Sequence, residues 1–140
     1  MIQRIQTLYL AGVVAVSAVL FSLPMYRISD TGDALNQVFT FRDNIFLTCL
    51  NSIVILLAVV AIFLYKHRML QVRICSLNIL LVSTLIVSVF YFSDKPVTAD
   101  ATLNFEPGAY LVLLNLVLLW LSLRSIRKDD ALVRSADRLR

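Results

Sequence analysis

The chain has 140 residues, 59% hydrophobic and 16% charged, with a formal net charge of +4. Its mean hydropathy of +0.82 and its apolar share, well above the roughly 45 to 50% of soluble domains, exclude a water-soluble globule, because too little polar chain remains to cover the apolar segments. The length leaves no room for a second domain, so 1–140 is read as one membrane domain.

Residues 5–26, 44–65, 74–93 and 107–123 contain no charged side chain. Each matches the roughly 17 to 25 residues that cross a hydrocarbon core as a helix. The expected fold is an all-α membrane protein: a four-transmembrane-helix bundle with spans at about 5–26, 44–65, 74–93 and 107–124. In the first span, Arg4 followed by an apolar run has the outline of a secretory signal. The run outlasts the usual 7 to 15 or so residues of such a region, and no small-x-small site precedes a polar mature start. A cut at Ala15 to Ser17 would fall mid-helix, so the span is expected to stay. Ala11, Ala15, Ala18 and Ser22 recur at spacings of four, three and four, with Gly12 beside them. Such a small-residue face lets a neighbouring backbone come close where lipid supplies no hydrophobic drive.

After the first span, residues 25–29 and 37–41 are β-prone runs around the turn-rich Asp30, Thr31, Gly32 and Asp33, a hairpin signature. A third short run at 102–105 precedes Pro107, where proline starts a helix well. Together they are expected to form a small sheet in the extracytoplasmic loops, over the outer mouth of the bundle.

The remaining spans each carry one asparagine: Asn51, Asn78 and Asn115. At about 1.5 Å of rise per residue, Asn51, Asn115 and Ser17 reach a similar depth, about 10 Å below the outer surface, and form an expected intramembrane polar layer. Asn78 lies deeper, with Ser83, Thr84 and Ser88 between the midplane and that layer. Interhelical hydrogen bonds worth about 0.6 to 2 kcal/mol each explain these residues more economically than a ligand site. Cys49 and Cys75 fall near opposite ends of their helices, on the order of 20 Å apart, too far for a disulfide. His67 stands in the short turn between Lys66 and Arg68. With one histidine and no cysteine cluster, neither metal nor haem ligation has support, and no cofactor is expected.

The basic tail, 125–140, continues from the fourth span with helical charge spacing, Asp130 standing four residues before Arg134. It is read as an amphipathic end for anionic lipid or a partner, or as a solvated basic end that only enforces topology. Orientation follows from the basic residues. Arg4, Lys66, Arg68, Arg73, Arg124, Arg127, Lys128, Arg134, Arg138 and Arg140 lie on one side, against Arg27, Arg42 and Lys95 on the other. By the positive-inside rule both termini are cytoplasmic. Tyr9, Tyr26, Tyr65, Tyr91, Tyr110 and Trp120 all stand near span ends, as interfacial aromatics do. The spans hold no ionisable transport residue and no paired helix breaks, which argues against an energy-coupled carrier. Nucleic acid is not an expected partner.

The start Met1-Ile2-Gln3-Arg4-Ile5-Gln6, the turn Tyr65-Lys66-His67-Arg68 with Leu70-Gln71-Val72-Arg73, and the ending from Ile126-Arg127-Lys128-Asp129-Asp130 to Asp137-Arg138-Leu139-Arg140 resemble a family of small four-helix inner-membrane proteins of Gram-negative bacteria, domain of unknown function 4293. The resemblance covers the full length and brings no catalytic residues. It implies that the cytoplasmic edge is the surface of interest. Gln3, Arg4, Gln6, Arg68, Gln71, Arg73, Arg127, Asp130, Arg134, Asp137 and Arg138 are read there as a polar cluster that fixes the bundle's inner end or contacts a partner. The leading expectation is a non-enzymatic accessory or scaffold subunit of a larger inner-membrane complex, in contact with lipid and other membrane proteins and compatible with a homo-oligomer. The alternative is a lipid or small-amphiphile binding module using the Asn/Ser layer. An enzyme built on loop residues such as Asp43 or His67 ranks third, with no constellation to support it.

Overall fold

The computed structural model describes residues 3–29, 37–93 and 102–138. Helices α1 (Gln3–Leu20), α2 (Ile45–Phe63), α3 (Arg68–Ser93) and α4 (Pro107–Arg138) are accompanied by strands β1 (Pro24–Ser29), β2 (Gln37–Thr40) and β3 (Thr102–Phe105). α1 packs on α2 and α4, and α3 packs on the same two, so the four helices close into a ring. Each turns a stripe spaced by threes and fours toward the centre: Leu10, Val13, Ser17 and Leu20 on α1; Leu47, Leu50, Val54, Ala58 and Ala61 on α2; Cys75, Asn78, Val82, Leu85 and Val89 on α3; Val112, Asn115, Leu119, Ser122 and Ile126 on α4. That periodicity keeps one face of a helix on its neighbours over several turns.

The outward faces are as apolar as the inward ones. Leu8, Ile45, Leu56, Phe63, Leu80, Val87, Val117 and Trp120 are exposed, while every asparagine of the helices is buried. Three helices are long and apolar enough to cross a membrane, over Ile45–Phe63, Arg68–Ser93 and Pro107–Asp129, and α1 adds the shorter apolar segment Ile5–Leu20.

Boundaries differ from the sequence reading for local reasons. The first helix ends at Leu20 rather than 26, tightening through Phe21 N to Ala18 O (3.3 Å) and Ser22 N to Val19 O (3.0 Å) just before Pro24, whose ring disfavours helical geometry in the preceding residue. The third helix begins at Arg68 rather than 74. The turn before it is compressed into a 3-10 turn, Leu64–Lys66, closed by His67 N on Leu64 O at 3.0 Å. The fourth helix runs unbroken through the basic tail to Arg138, since no glycine or proline follows Gly108.

The small-residue face of α1 also differs from its expected place. Ala11, Ala15, Ala18 and Ser22 are exposed, because Leu10, Val13, Ser17 and Leu20, on the opposite side of the helix, take the contact with α2 and α4. Gly12, beside them, does come near a neighbour: a Cβ there would stand 3.5 Å from Leu118 Cδ1.

The three short strands pair in the order β2-β1-β3, antiparallel throughout. The expected turn at 30–33 lies outside the described residues. A bulge in β1 between Pro24 and Tyr26 accompanies the burial of both Met25 and Tyr26. Tyr26 stacks on Phe39 at 4.9 Å between ring centroids, and its hydroxyl donates to Phe92 O at 3.4 Å. Arg27 Nε lies 3.1 Å from Glu106 Oε1, and Glu106 N donates to Met25 O at 3.0 Å. Gly108 presses directly on β1, where a Cβ would collide with the Pro24 carbonyl oxygen and stand 2.9 Å from Met25 Sδ. The start of α2 is fixed by Asn44 Oδ1, which accepts from Phe46 N at 3.0 Å and so satisfies one free donor of the first turn. Just before it, Asp43 Oδ2 accepts from Thr40 N (2.6 Å) and Thr40 Oγ1 (2.9 Å).

Candidate functional site

The structure brings Ser17, Asn51 and Asn115 into one buried cluster. Asn51 Nδ2 donates to Ser17 O at 2.9 Å, and Asn115 Nδ2 donates to Ser17 Oγ at 2.8 Å. The cluster joins α1, α2 and α4, with all three residues at most 1% exposed. Ser17 O lies in the last turn of α1, where carbonyls lack intrahelical donors, so Asn51 serves as a cap supplied by another helix. Asn78 ties α3 to α2 by donating to Val54 O at 3.2 Å. Ser83, Thr84 and Ser88 stay apart from this cluster. Each donates to the carbonyl four residues earlier, Ile79, Leu80 and Thr84 respectively, as hydroxyls in apolar helices do.

A second polar group closes the opposite end of the ring from the sheet. Gln71 Nε2 donates to Ala61 O, 3.1 Å away in the last turn of α2, and Gln6 Nε2 reaches Ser125 O at 3.4 Å. Arg68 Nη1 stands 3.3 Å from Asp129 Oδ2, with the carboxylate only 11% exposed. The pair joins the first residue of α3 to α4. Gln6, Arg68 and Gln71 thus each tie one helix to another at this end, in three separate contacts, whereas Arg73 and Arg127 are exposed. Gln3 and Arg4 lie in the first turn of α1, and Asp130, Arg134, Asp137 and Arg138 in the last turns of α4; their side chains fall outside the described residues.

Asp129 is the residue that sequence reasoning passed over in favour of Asp130. The signal was in the helical phase. Val112, Asn115, Leu119, Ser122 and Ile126 define the inward face of α4, and the next step of three lands on Asp129. Ser122 belongs to the same face and meets the Cys75 thiol.

Among the described residues, hollows flank the sheet. One, of about 200 Å³, is lined by Met25, Tyr26, Ile28, Phe39, Asp43 and Phe92 among others. Burial first, and the nearby Asp43 carboxylate second, hold the Tyr26 phenol above its ordinary value. Another is an apolar groove of about 90 Å³ between α3 and α4, with Ile86, Phe90, Phe105 and Tyr110 in its walls. Phe90 and Phe105 meet edge to face at 5.5 Å across it. Among the described residues no group of three or more His, Cys, Asp or Glu side chains converges on a metal position. Cys49 is exposed and Cys75 buried, both as free thiols.

Apolar outer faces around a hydrogen-bonded polar interior, on helices long enough to span, define a helical protein of the membrane class. The chain belongs to the family described as domain of unknown function (DUF4293), whose model matches residues 2–139. No curated protein matches the chain significantly.

Proposed function

We propose that the protein is a non-enzymatic accessory or scaffold subunit of a larger assembly in the bacterial inner membrane. All four helices cross the bilayer as a bundle with both termini cytoplasmic, in this reading. α1, with an apolar segment near 24 Å at 1.5 Å per residue, is completed by the Phe21 to Leu23 turn and by local thinning, a modest cost for a short span. The observation that carries the scaffold reading is the division of labour on α1. Its Leu10, Val13, Ser17 and Leu20 side already holds the ring together, which leaves Ala11, Ala15, Ala18 and Ser22 as a second close-packing face directed outward. Small residues on a membrane helix are where another helix approaches most closely. The α4 extension beyond residue 124, with Arg127 and Lys128 exposed, supplies a basic edge beside it for the same partner.

Purification in mild detergent followed by mass spectrometry tests this reading. A stoichiometric protein partner, lost when Ala15 and Ala18 are replaced by Leu, supports it. A monodisperse chain with no partner overturns it. A second reading, binding of a lipid or small amphiphile, is favoured by the apolar groove at Phe90 and Phe105 rather than by the tightly engaged Asn/Ser layer. A co-purifying lipid without protein would move the balance to that reading.

A further inference from the structure

Five buried side-chain atoms of the ring meet no hydrogen-bond partner among the described residues, two of them, Arg68 Nη1 and Ser122 Oγ, toward the Arg68–Asp129 end, where Arg68 keeps only its ion pair. Asn51 Oδ1, Asn78 Oδ1 and Asn115 Oδ1 are buried and meet no donor among the described residues. Turning the amides over does not repair this. Asn51 and Asn78 must keep Nδ2 toward the carbonyls of Ser17 and Val54, because oxygen facing oxygen is repulsive. Reversing Asn115 would give its oxygen the Ser17 hydroxyl but leave both N–H donors unmet in place of one N–H and the oxygen, so the number of unmet groups stays the same.

These groups are also aligned, along the α3 side of a centre that Leu10, Val13, Ala58 and Leu119 otherwise fill. On α3, Arg68, Gln71, Cys75 and Asn78 follow at steps of three, four and three, a polar run about 15 Å long. The same face then turns apolar at Val82, Leu85 and Val89. On α4 the Asp129 carboxylate and the Ser122 hydroxyl stand at matching levels, opposite Arg68 and Cys75. One turn above Asn78 comes the Ser17, Asn51 and Asn115 layer, and beyond it Leu20, Leu47 and Val112 seal the centre toward the sheet.

We propose that a file of buried water enters the ring at the Arg68–Asp129 end and stops at the Ser17, Asn51 and Asn115 layer, donating to the three unpaired amide oxygens. Water meets the need because it is a small donor, and buried water commonly satisfies such groups. A cation fits less well, since among the described residues no carboxylate lies near the layer to balance its charge in lipid. The file is one-sided and the apolar seal makes it no pore. This inference stands apart from the scaffold reading.

The full chain, isotope-labelled at asparagine, glutamine, leucine and valine and reconstituted in lipid bilayers, tests it by water-to-protein magnetisation transfer in solid-state NMR. The side-chain amides of Asn51, Asn78 and Asn115 should gain water magnetisation as fast as that of Asn44, the α2 cap at the aqueous end. Transfer no faster than to the Leu85 and Val89 methyls would overturn the proposal. In Asn78→Leu the transfer to Asn51 and Asn115 should be lost while that to Gln71 persists. Unchanged transfer would mean entry from the sheet end and would overturn the direction. A sodium-dependent chemical-shift change at Asn51 or Asn115 would replace water by a cation and also overturn it. Should the variant not fold, the comparison within the unmodified chain decides.

Discussion

The contact between Gly108 and β1 gives a sharp mechanical test, because the same substitution at Gly108 and at Gly12, the two glycines of the described helices, should act with opposite sign. In Gly108→Ala the new methyl meets backbone, the Pro24 carbonyl group, with Met25 Sδ at 2.9 Å behind it. A flexible side-chain tip could yield, but a strand paired on both edges moves only with its partners. Relief therefore requires β1 to back away from α4, stretching the 3.0 Å bond from Glu106 N to Met25 O. Overpacking of this kind costs about 1–3 kcal/mol, and 1–2 kcal/mol already raises the unfolded-to-folded ratio by a factor of about 5–30. In Gly12→Ala the methyl makes ordinary contact with Leu118 Cδ1 at 3.5 Å, and alanine favours a helix interior over glycine by up to about 1 kcal/mol. Thermal unfolding of both variants in the same micelles, followed by circular dichroism, should show Gly108→Ala melting lower than the unmodified chain and Gly12→Ala equal or higher. A Gly108→Ala protein as stable as its parent, or both variants shifting downward together, would refute the packing of α4 on the sheet.

Three further outcomes follow from the polar contacts. Arg68→Ala leaves the Asp129 carboxylate largely buried and without its cation, and should destabilise by about 1–3 kcal/mol; the double variant Arg68→Met with Asp129→Leu should recover most of this in a double-mutant cycle, and failure to recover would show that the pair is not coupled. Asn51→Leu removes the donor to Ser17 O and should cost about 0.6–1.7 kcal/mol by denaturant titration, whereas Ser88→Ala, which loses only a bond to its own helix, should stay within about 0.5 kcal/mol; equal effects would contradict the interhelical role of Asn51. Burial and Asp43 raise the Tyr26 value, so the fold prefers the neutral phenol. Its contribution is whole below the ordinary tyrosine value and is lost as pH climbs from there through the raised one. Ultraviolet titration should therefore show one late-ionising tyrosine that disappears in Tyr26→Phe. A late component that survives in Tyr26→Phe would rule this out.

The helices and the sheet were legible because their signals are local. Charge-free runs mark the helices, and β-prone runs around turn residues mark strands. Helix ends were less so. Leu20 ends α1 because a tight turn and Pro24 follow, while hydropathy alone runs on to Tyr26. The Ser17, Asn51 and Asn115 layer could be read from depth, since rise per residue is fixed. Rotation about each helix axis is set by packing. This is why the small-residue face of α1 turned outward, and why Asp129 rather than Asp130 meets Arg68. Arg73 and Arg127 share a level with the end contacts but face away from them, a distinction that spacing from the core stripe reveals once the stripe is known.

The account rests on lipid as the solvent of all four helices, the short α1 included. Epitopes placed at the two termini and probed with protease in intact spheroplasts and in inverted vesicles test this most directly. Both epitopes should be protected in spheroplasts and cleaved in inverted vesicles. One terminus cleaved from each side would show that α1 does not cross, and would contradict the four-span arrangement.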